Sequence, residues 1–155
     1  MHCYEDFHCH FRPALPADFD HLRDLASRCW MEIYEGQVRQ ESIHRFRKED
    51  GAGAYVREFL PSIQVATVNR EVIGMISLTH GYITGLYVDG RYRGNLIGTS
   101  LLHNARLDGG HLLDVSAANR RAIAFYERRG WKKLRAFEED VFGTRVKAFT
   151  LVRAR

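Results

Sequence analysis

Residues 82–98 read YITGLYVDGRYRGNLIG, and this stretch decides the fold that the sequence predicts. Residues 82–88 are mostly β-branched, aromatic or apolar, which favours a buried strand. An Asp-Gly pair then ends the strand as a turn. Apolar residues with the spacing of one helical face follow at Ile97, Leu101 and Ala105. The stretch therefore predicts a strand, a basic turn and the N-terminus of a helix.

The turn between this strand and this helix carries Arg91, Arg93 and Gly94. The first N–H groups of a helix have no intrahelical partner, and the helix dipole adds partial positive charge there. A phosphate is the ligand that such a turn favours. The same residues are also typical of an ordinary strand-to-helix connection with solvated arginines, and short glycine motifs do not separate the two interpretations.

Length and composition indicate an ordinary globular protein. A chain of 155 residues suits one domain, which we expect to span residues 1–155. No apolar run is long enough to span a bilayer, and the N-terminus lacks a signal-peptide pattern. Three cysteines make no disulfide framework, which favours a reducing cytoplasm. A net charge of +4 suits a polyanionic ligand, and nucleic acid stays among the alternatives.

The N-terminal segment invites a metal-site interpretation through Cys3, His8, Cys9 and His10. Their spacing matches no closed zinc site, and no second Cys/His pair lies nearby in the sequence. A first strand over residues 8–12 with incidental His and Cys is the favoured interpretation, and we expect no metal.

Three helices are predicted next. Asp18 is the expected N-cap of the first, whose apolar face carries Leu22, Leu25, Ala26 and Cys29. The second is expected over residues 41–48. Residues 51–53, Gly-Ala-Gly, interrupt the helical pattern, so the third helix is expected only over residues 55–60.

Runs rich in Ile, Val and Thr predict further strands. Residues 63–68 and 72–79 are separated by a short polar turn and are expected to form a hairpin. Residues 112–116 follow the helix of the organising stretch as a short apolar run. The order strand–helix–strand makes this run parallel to residues 82–88.

The C-terminal part completes an α/β mixed sheet of about seven strands with helices on both faces and one central parallel pair. Ser116 or Asn119 is the expected cap of the last helix, which ends before Gly130. Residues 131–137 and 144–152 are expected to close the sheet as an antiparallel pair. Between them we expect an acidic loop formed by Glu138, Glu139 and Asp140.

Two stretches resemble the core motifs of the GNAT superfamily of acetyl-CoA-dependent N-acetyltransferases. Residues 85–102, GLYVDGRYRGNLIGTSLL, resemble the strand, Arg-Gly turn and helix that hold the coenzyme A pyrophosphate. Residues 112–134, LLDVSAANRRAIAFYERRGWKKL, resemble the family's second strand and its Asn-x-x-Ala-x-x-Phe-Tyr-x-x-x-Gly-Trp helix. The residues of that pattern in place are Asn119, Ala122, Phe125, Tyr126, Gly130 and Trp131. The resemblance implies a single domain with the GNAT-like acyl-CoA N-acyltransferase fold.

The resemblance also implies an activity, the transfer of an acetyl group from acetyl-CoA to a primary amine by direct attack in a ternary complex. The coenzyme contacts that it implies are Leu86, Tyr87, Val88, Arg93, Gly94, Asn95, Leu96, Ile97, Gly98, Thr99, Asn119 and Tyr126. Leu96 departs from the family pattern, which has glycine at this position. A side chain there crowds the pyrophosphate or alters a backbone angle that glycine tolerates, and we expect binding to survive.

The catalytic roles are likewise implied by the resemblance. The backbone N–H of Val88 polarises the thioester oxygen, and Tyr126 is the general acid beside the leaving sulfur. The alternative for Tyr126 is a core tyrosine, and the alternative for Asn119 is a plain N-cap. No carboxylate lies between residues 82 and 88, so the general base stays open. The candidates are His80, Glu35, Asp114, a chain of waters, or an amine whose pKa burial has already lowered.

The acceptor site implied by the family lies opposite the coenzyme. Here it is contributed by Trp30, Tyr34 and Glu35 on one side and by the acidic residues 138–140 on the other. Aromatic rings with carboxylates attract a cation, so we expect a cationic amine. The alternative is that residues 138–140 are only a solvated turn.

Two other functions stay open. A basic cluster is typical of nucleic-acid binding and of a solvated helix face alike, and it consists of Arg120, Arg121, Arg128, Arg129, Lys132 and Lys133. A coenzyme A-binding protein without turnover is the other alternative. Acetyl-CoA and an amine are the partners that we expect, a homodimer is a further candidate, and neither a membrane nor nucleic acid is favoured.

Overall fold

The computed structural model describes residues 9–154 of the chain, and its strands form one sheet. Their order across the sheet is β1-β2-β3-β4-β5-β7-β6. The strands are β1 His10–Pro13, β2 Ile63–Val68, β3 Glu71–Thr79, β4 Tyr82–Val88, β5 Leu112–Ser116, β6 Lys132–Val141 and β7 Thr144–Val152. The helices are α1 Phe19–Tyr34, α2 Gln40–Lys48, α3 Gly51–Phe59, α4 Ile97–Leu107 and α5 Arg120–Glu127. The predicted mixed sheet of seven strands is confirmed.

Helices cover both faces of the sheet. Alternate residues of β2 and β3 point to opposite faces, so Val65 packs beneath α1 and α3 while Ala66 packs beneath α4. The predicted apolar stripe of α4 is confirmed, because Ile97, Leu101 and Ala105 are all buried. None of the helices between residues 9 and 154 combines the length and the apolar character needed to cross a membrane.

The parallel pair β4–β5 is confirmed, and it is short. Only Tyr82 with Leu112 and Ile83 with Leu113 are paired across it. Strand β4 continues to Val88 and β5 continues to Ser116 beyond those pairs. The two strands therefore diverge towards their C-terminal ends and leave an opening in the middle of the sheet.

The backbone of β4 exposes amide groups to this opening. The Asp89 N–H donates to the Ile73 carbonyl at 2.8 Å, so these two residues are a hydrogen-bonded pair of the antiparallel β3–β4 ladder. Hydrogen-bonded and non-hydrogen-bonded pairs alternate in such a ladder. The N–H of Val88, which lies opposite Gly74, therefore points away from β3 and towards the side of β5.

Two predictions about the first helices were wrong. Residues 51–53 do not interrupt a helix but form the first turn of α3. Asp50, in a left-handed conformation, accepts a hydrogen bond from the Gly53 N–H at 3.0 Å. A Cβ on Gly53 would lie 2.1 Å from that carboxylate, so this helix start needs a glycine there. Asp18 precedes α1 as expected, but its side chain binds Leu15 N and Arg12 instead of capping the helix.

The acidic loop was also predicted wrongly. Glu138, Glu139 and Asp140 belong to β6 and pair with Lys147, Val146 and Arg145 of β7. The turn lies further on at Phe142 and Gly143, which both have positive φ, as the two central residues of a tight hairpin turn require. The predicted start of β1 at His8 lies outside the described residues, as does Cys3.

Candidate active site

A cavity of about 310 Å³ lies between the C-terminal end of β4, the turn that follows it, and helices α4 and α5. It contains eleven of the residues predicted to bind the coenzyme: Leu86, Tyr87, Val88, Arg93, Gly94, Leu96, Ile97, Gly98, Thr99, Asn119 and Tyr126. Asn95 is the exception and is not among the lining residues. We call this space the donor cavity. The residues brought together come from β4, the following turn, α4 and α5, so the splayed sheet joins the two sequence motifs at one place.

The N-terminus of α4 faces the donor cavity. Ile97, Gly98 and Thr99 form its first turn and line the cavity, and their N–H groups are the ones that a helix leaves without intrahelical partners. Leu96 precedes them with φ 63° and ψ 9°. This left-handed conformation is the one that glycine adopts readily, so the backbone keeps the shape that a glycine would give it. Leu96 is 39% exposed and lines the cavity mouth.

Arg93 is held at the cavity by an ion pair that the sequence did not predict. Its Nη1 and Nη2 donate to the two carboxylate oxygens of Glu32 at 2.7 and 2.9 Å. This bidentate contact raises the pKa of Arg93 and lowers that of Glu32. The thiol of Cys29 lies beside it, and burial raises its pKa to about 11. Arg93 is therefore a fixed cation whose charge is shared with a carboxylate.

Three residues of the predicted basic cluster also line the donor cavity: Arg121, Arg128 and Arg129. Arg129 donates to the Thr99 hydroxyl at 2.8 Å and to the Phe125 carbonyl at 2.9 Å, and its guanidinium lies 3.8 Å from the Phe125 ring centroid. It thus joins α5 to the first turn of α4. This part of the cluster faces a cavity of small-molecule size, which the sequence alone did not indicate.

Tyr126 lies where the donor cavity meets a second cavity. It is 7% exposed and packs edge-on against Phe125, with Trp131 on its other side. Burial raises the pKa of its hydroxyl above the usual tyrosine value. Within residues 9–154 no hydrogen-bond partner of this hydroxyl is present, although the ring lines both cavities. Asn119 also lines both, and its Oδ1 accepts from Ala122 N at 3.3 Å, so it is an N-cap as well.

The second cavity, of about 290 Å³, adjoins the donor cavity on the other side of Tyr126. We call it the acceptor cavity. The residues that line both are Ile33, Leu86, Tyr87, Asn119, Ala122 and Tyr126. Its outer walls come from α1 and β6, which supply Trp30, Tyr34, Glu139 and Asp140. Trp30 is fixed there by a stacking contact with Phe46 at 3.8 Å between ring centroids.

Two of the residues predicted at the acceptor side, and one candidate general base, are placed elsewhere. Glu35 is exposed just after α1, and Glu138 is exposed on β6, where its carboxylate pairs with Arg145 at 3.3 Å. Neither lines the acceptor cavity. His80, a candidate base, lies in the turn before β4, at the opposite end of that strand from Val88. A seven-residue strand spans about 20 Å, so His80 is too far from Val88 to act there.

Glu139 and Asp114 line the acceptor cavity together with Asp140. Tyr34 donates to Glu139 Oε1 at 3.1 Å, and burial raises the pKa of Glu139, with the charge of Asp114 adding to the effect. Asp114 Oδ1 accepts from Tyr82 at 2.6 Å and from Thr150 at 2.7 Å. The described part of the chain contains no group of three or more His, Cys, Asp or Glu placed to hold a metal ion.

Comparison with known proteins agrees with this geometry. A family model described as an acetyltransferase (GNAT) domain matches residues 60–133, which include β4, α4, β5 and α5. A peptidyl-lysine N-acetyltransferase, YjaB of Salmonella typhimurium, is 33% identical over 92 residues. That match covers 57% of this chain and 63% of the relative, which is less than two thirds of its length.

Solved structures share the fold over nearly the whole chain. The apo form of YjaB from Escherichia coli has a TM-score of 0.75 at 23% identity, covering 93% of this chain and 96% of its own. A GCN5-related N-acetyltransferase from Rhodopseudomonas palustris has a TM-score of 0.74 at 21% identity, with coverages of 94% and 95%. The PaiA N-acetyltransferase from Thermoplasma acidophilum, solved with coenzyme A, has a TM-score of 0.68 at 20% identity, with coverages of 95% and 99%. At these identities the likeness concerns the fold alone.

Proposed function

We propose that this chain is a GNAT N-acetyltransferase and that it transfers an acetyl group from acetyl-CoA to a primary amine in a ternary complex. The observation that carries the proposal is the pair of cavities that meet at Tyr126. A thioester and an amine that enter from opposite sides reach each other at that point without a covalent enzyme intermediate. The match to a peptidyl-lysine N-acetyltransferase over part of the chain supports an amine as the acceptor.

The donor cavity has the chemistry that acetyl-CoA needs. The N–H groups at the start of α4 and the dipole of that helix attract the pyrophosphate. Arg93 and Arg129 add fixed positive charge on two sides of this turn. The pantetheine arm extends along the open edge of β4, where backbone groups that β5 does not pair remain available to it. The coenzyme contacts proposed are the residues that line the donor cavity, together with Asn95.

The transfer step is served by a backbone group and a side chain. The Val88 N–H points into the opening and donates to the thioester oxygen, whose negative charge grows as the amine attacks. Tyr126 supplies the proton to the departing thiolate. Burial raises the pKa of this hydroxyl, so it is protonated at neutral pH and holds the proton for the transfer.

Binding of the donor is tested by thermal melting. Acetyl-CoA should raise the melting temperature, since a ligand that binds only the folded state stabilises it. Arg93→Gln should reduce this shift. Arg91→Gln is the matched control, because Arg91 lies two residues away and pairs with Asp89 and Glu71 outside the cavity. An equal shift in both variants would remove Arg93 from the site.

Transfer is tested by release of free thiol from acetyl-CoA with a panel of amines. Tyr126→Phe keeps the ring and its packing and deletes the proton donor, so turnover should fall by roughly two to four orders of magnitude. The shift in melting temperature with acetyl-CoA should stay as in the wild type. Wild-type turnover in this variant would reduce Tyr126 to a packing residue, and acetyl-CoA binding without thiol release to any amine would favour a binding protein.

A further inference from the structure

The acceptor cavity contains a carboxylate placed for proton transfer. Glu139 lies on β6 with its side chain in the cavity, and Tyr34 fixes it by donating to Oε1 at 3.1 Å. The carboxylate is half-buried, whereas Glu138 before it and Asp140 after it are exposed. Because successive residues of a strand point to opposite faces, the Glu139 side chain points into the cavity and the Glu138 side chain points away from it.

A second carboxylate faces Glu139 from the neighbouring part of the sheet. Asp114 of β5 lines the same cavity, and its charge acts on Glu139. The hydrogen bonds from Tyr82 and Thr150 both end on Oδ1 and hold the Asp114 side chain in place. Two fixed carboxylates at one cavity favour a ligand that carries positive charge, since such a ligand relieves their mutual repulsion.

An independent observation indicates that a reacting molecule belongs here. Tyr126 is more than nine-tenths buried, it lines the cavity, and no described residue bonds its hydroxyl. The hydroxyl is open to the cavity, so it is available to a molecule that binds there. Trp30 and Tyr34 form the aromatic wall beside it, at 4.9 Å between ring centroids. Aromatic faces attract ammonium groups.

We propose that Glu139 is the general base of the transfer and that Glu139 and Asp114 together hold a cationic amine as the acceptor. This inference rests on the proposed acetyl transfer and adds the acceptor class and the proton acceptor to it. An ammonium group between the two carboxylates gives one proton to Glu139. The neutral amine then has the lone pair that attack on the thioester requires.

The proton and electron balance closes with residues already described. The amine nitrogen forms a bond to the acetyl carbon, and the carbon–sulfur bond breaks with its electron pair on sulfur. Tyr126 gives its proton to that thiolate and regains one from the nitrogen. Glu139 returns its proton to water. One ammonium and one thioester thus give one amide, one free thiol and one released proton.

The environment of Glu139 suits this role. The titratable groups that line the cavity with it are Tyr34 from α1, Tyr87 from β4, Asp114 from β5, Tyr126 from α5 and the neighbouring Asp140 of its own strand. Burial and the Asp114 charge raise the pKa of Glu139, while the Tyr34 hydrogen bond opposes the rise. A base whose pKa lies closer to the working pH is the more effective proton acceptor from a protonated amine.

The test compares Glu139→Gln with Glu138→Gln. Both change one carboxylate to an amide on the same strand, and only the first changes the acceptor cavity. The assay follows free thiol with acetyl-CoA and a lysine peptide flanked by arginines. Glu139→Gln should lower turnover by about 10² to 10⁴-fold with an unchanged acetyl-CoA melting shift, and Glu138→Gln should behave as the wild type.

Dependence on pH separates a base from a merely structural residue. Without Glu139 the reaction depends on amine that is already deprotonated in solution. The deprotonated fraction of a lysine amine increases with pH, because the pKa of that amine is about 10.4. The ratio of wild-type to Glu139→Gln activity should therefore shrink as pH rises. A constant ratio, or an unimpaired variant, overturns Glu139 as the base.

A third comparison tests the charge of the acceptor. Asp114→Asn should raise the Michaelis constant for the lysine peptide more than it lowers turnover. A lysine peptide flanked by glutamates should be the poorer substrate of the wild type, and equal use of both peptides overturns the cationic class. If the wild type neither binds acetyl-CoA nor releases thiol, the proposed acetyl transfer itself is refuted. The variants test only the roles of Glu139 and Asp114.

Discussion

Leu96 is the position at which the chain departs from the GNAT motif that it resembles, and the backbone angles of Leu96 lead to a quantitative prediction. An L-residue in the left-handed region costs about 1–2 kcal/mol, and glycine has no such cost. We therefore compare Leu96→Gly with Leu96→Ala. Both variants remove the leucine side chain beyond Cβ, so they lose nearly the same contacts. The difference between their free energies of unfolding therefore reports the cost of the left-handed backbone conformation.

The expected difference follows from two opposing quantities. Relief of the left-handed strain favours glycine by about 1–2 kcal/mol. The greater freedom of glycine in the unfolded chain disfavours it by about 0.4–1 kcal/mol. Leu96→Gly should therefore be more stable than Leu96→Ala by about 1 kcal/mol, which is about 2–4 °C in melting temperature for a chain of this size.

Urea denaturation of both variants measures this difference, and melting with acetyl-CoA measures the effect on the ligand. The backbone already has the glycine-like conformation, so only the Leu96 side chain can crowd the pyrophosphate. Both variants should then show the same increase in the acetyl-CoA shift over the wild type. A Leu96→Ala variant that is more stable than Leu96→Gly would refute the strain at Leu96. A larger shift in melting temperature with acetyl-CoA in Leu96→Gly alone would show that the backbone angle, and not the side chain, limits binding.

Two further predictions concern stability. Gly85→Ala should lower the free energy of unfolding, measured by urea denaturation, by about 1–3 kcal/mol, because a Cβ there would lie 2.2 Å from the hydroxyl of Tyr55. Gly98→Ala is the control: its Cβ would lie 3.6 Å from its nearest neighbours, so its free energy of unfolding should be close to that of the wild type. Glu139→Gln should raise the melting temperature at neutral pH, because a folded-state pKa above the unfolded value means that the ionised carboxylate destabilises the fold. This gain should vanish as pH falls below the ordinary carboxyl pKa of about 4.3, and a lower melting temperature at neutral pH would contradict it.

The sequence predicted the central elements well because their signals are local. Strand β4 and helix α4 are each determined by the residue types and spacing within them; β4 has the predicted bounds, and the predicted apolar face of α4 is buried. The start of α3 was missed because a carboxylate cap at Asp50 overrides the low helix propensity of Gly51 and Gly53. A cap that depends on one side-chain conformation is not visible in a propensity pattern.

In the candidate site, too, positions within short motifs were indicated by the sequence, and contacts between distant residues were not. The resemblance supplied the positions near the donor cavity, since these are adjacent in two short motifs. It could not supply Glu32, which meets Arg93 across 61 residues of sequence, or the role of Arg129, whose contact with Thr99 spans 30 residues. Such pairs follow from packing α1 and α5 against the start of α4. The basic cluster in the sequence did not indicate that Arg121, Arg128 and Arg129 meet at one cavity.

The acidic residues 138–140 show why a charge run is not a functional unit. As a loop, the three carboxylates would act together, and the sequence alone favoured that interpretation. As part of β6 they alternate, so Glu138 binds Arg145 outside while Glu139 enters the acceptor cavity. A one-residue change in register would exchange these two roles. The position of the turn at Phe142 and Gly143 therefore determines which carboxylate enters the acceptor cavity, and the lining of this cavity depends on hairpin geometry as much as on residue type.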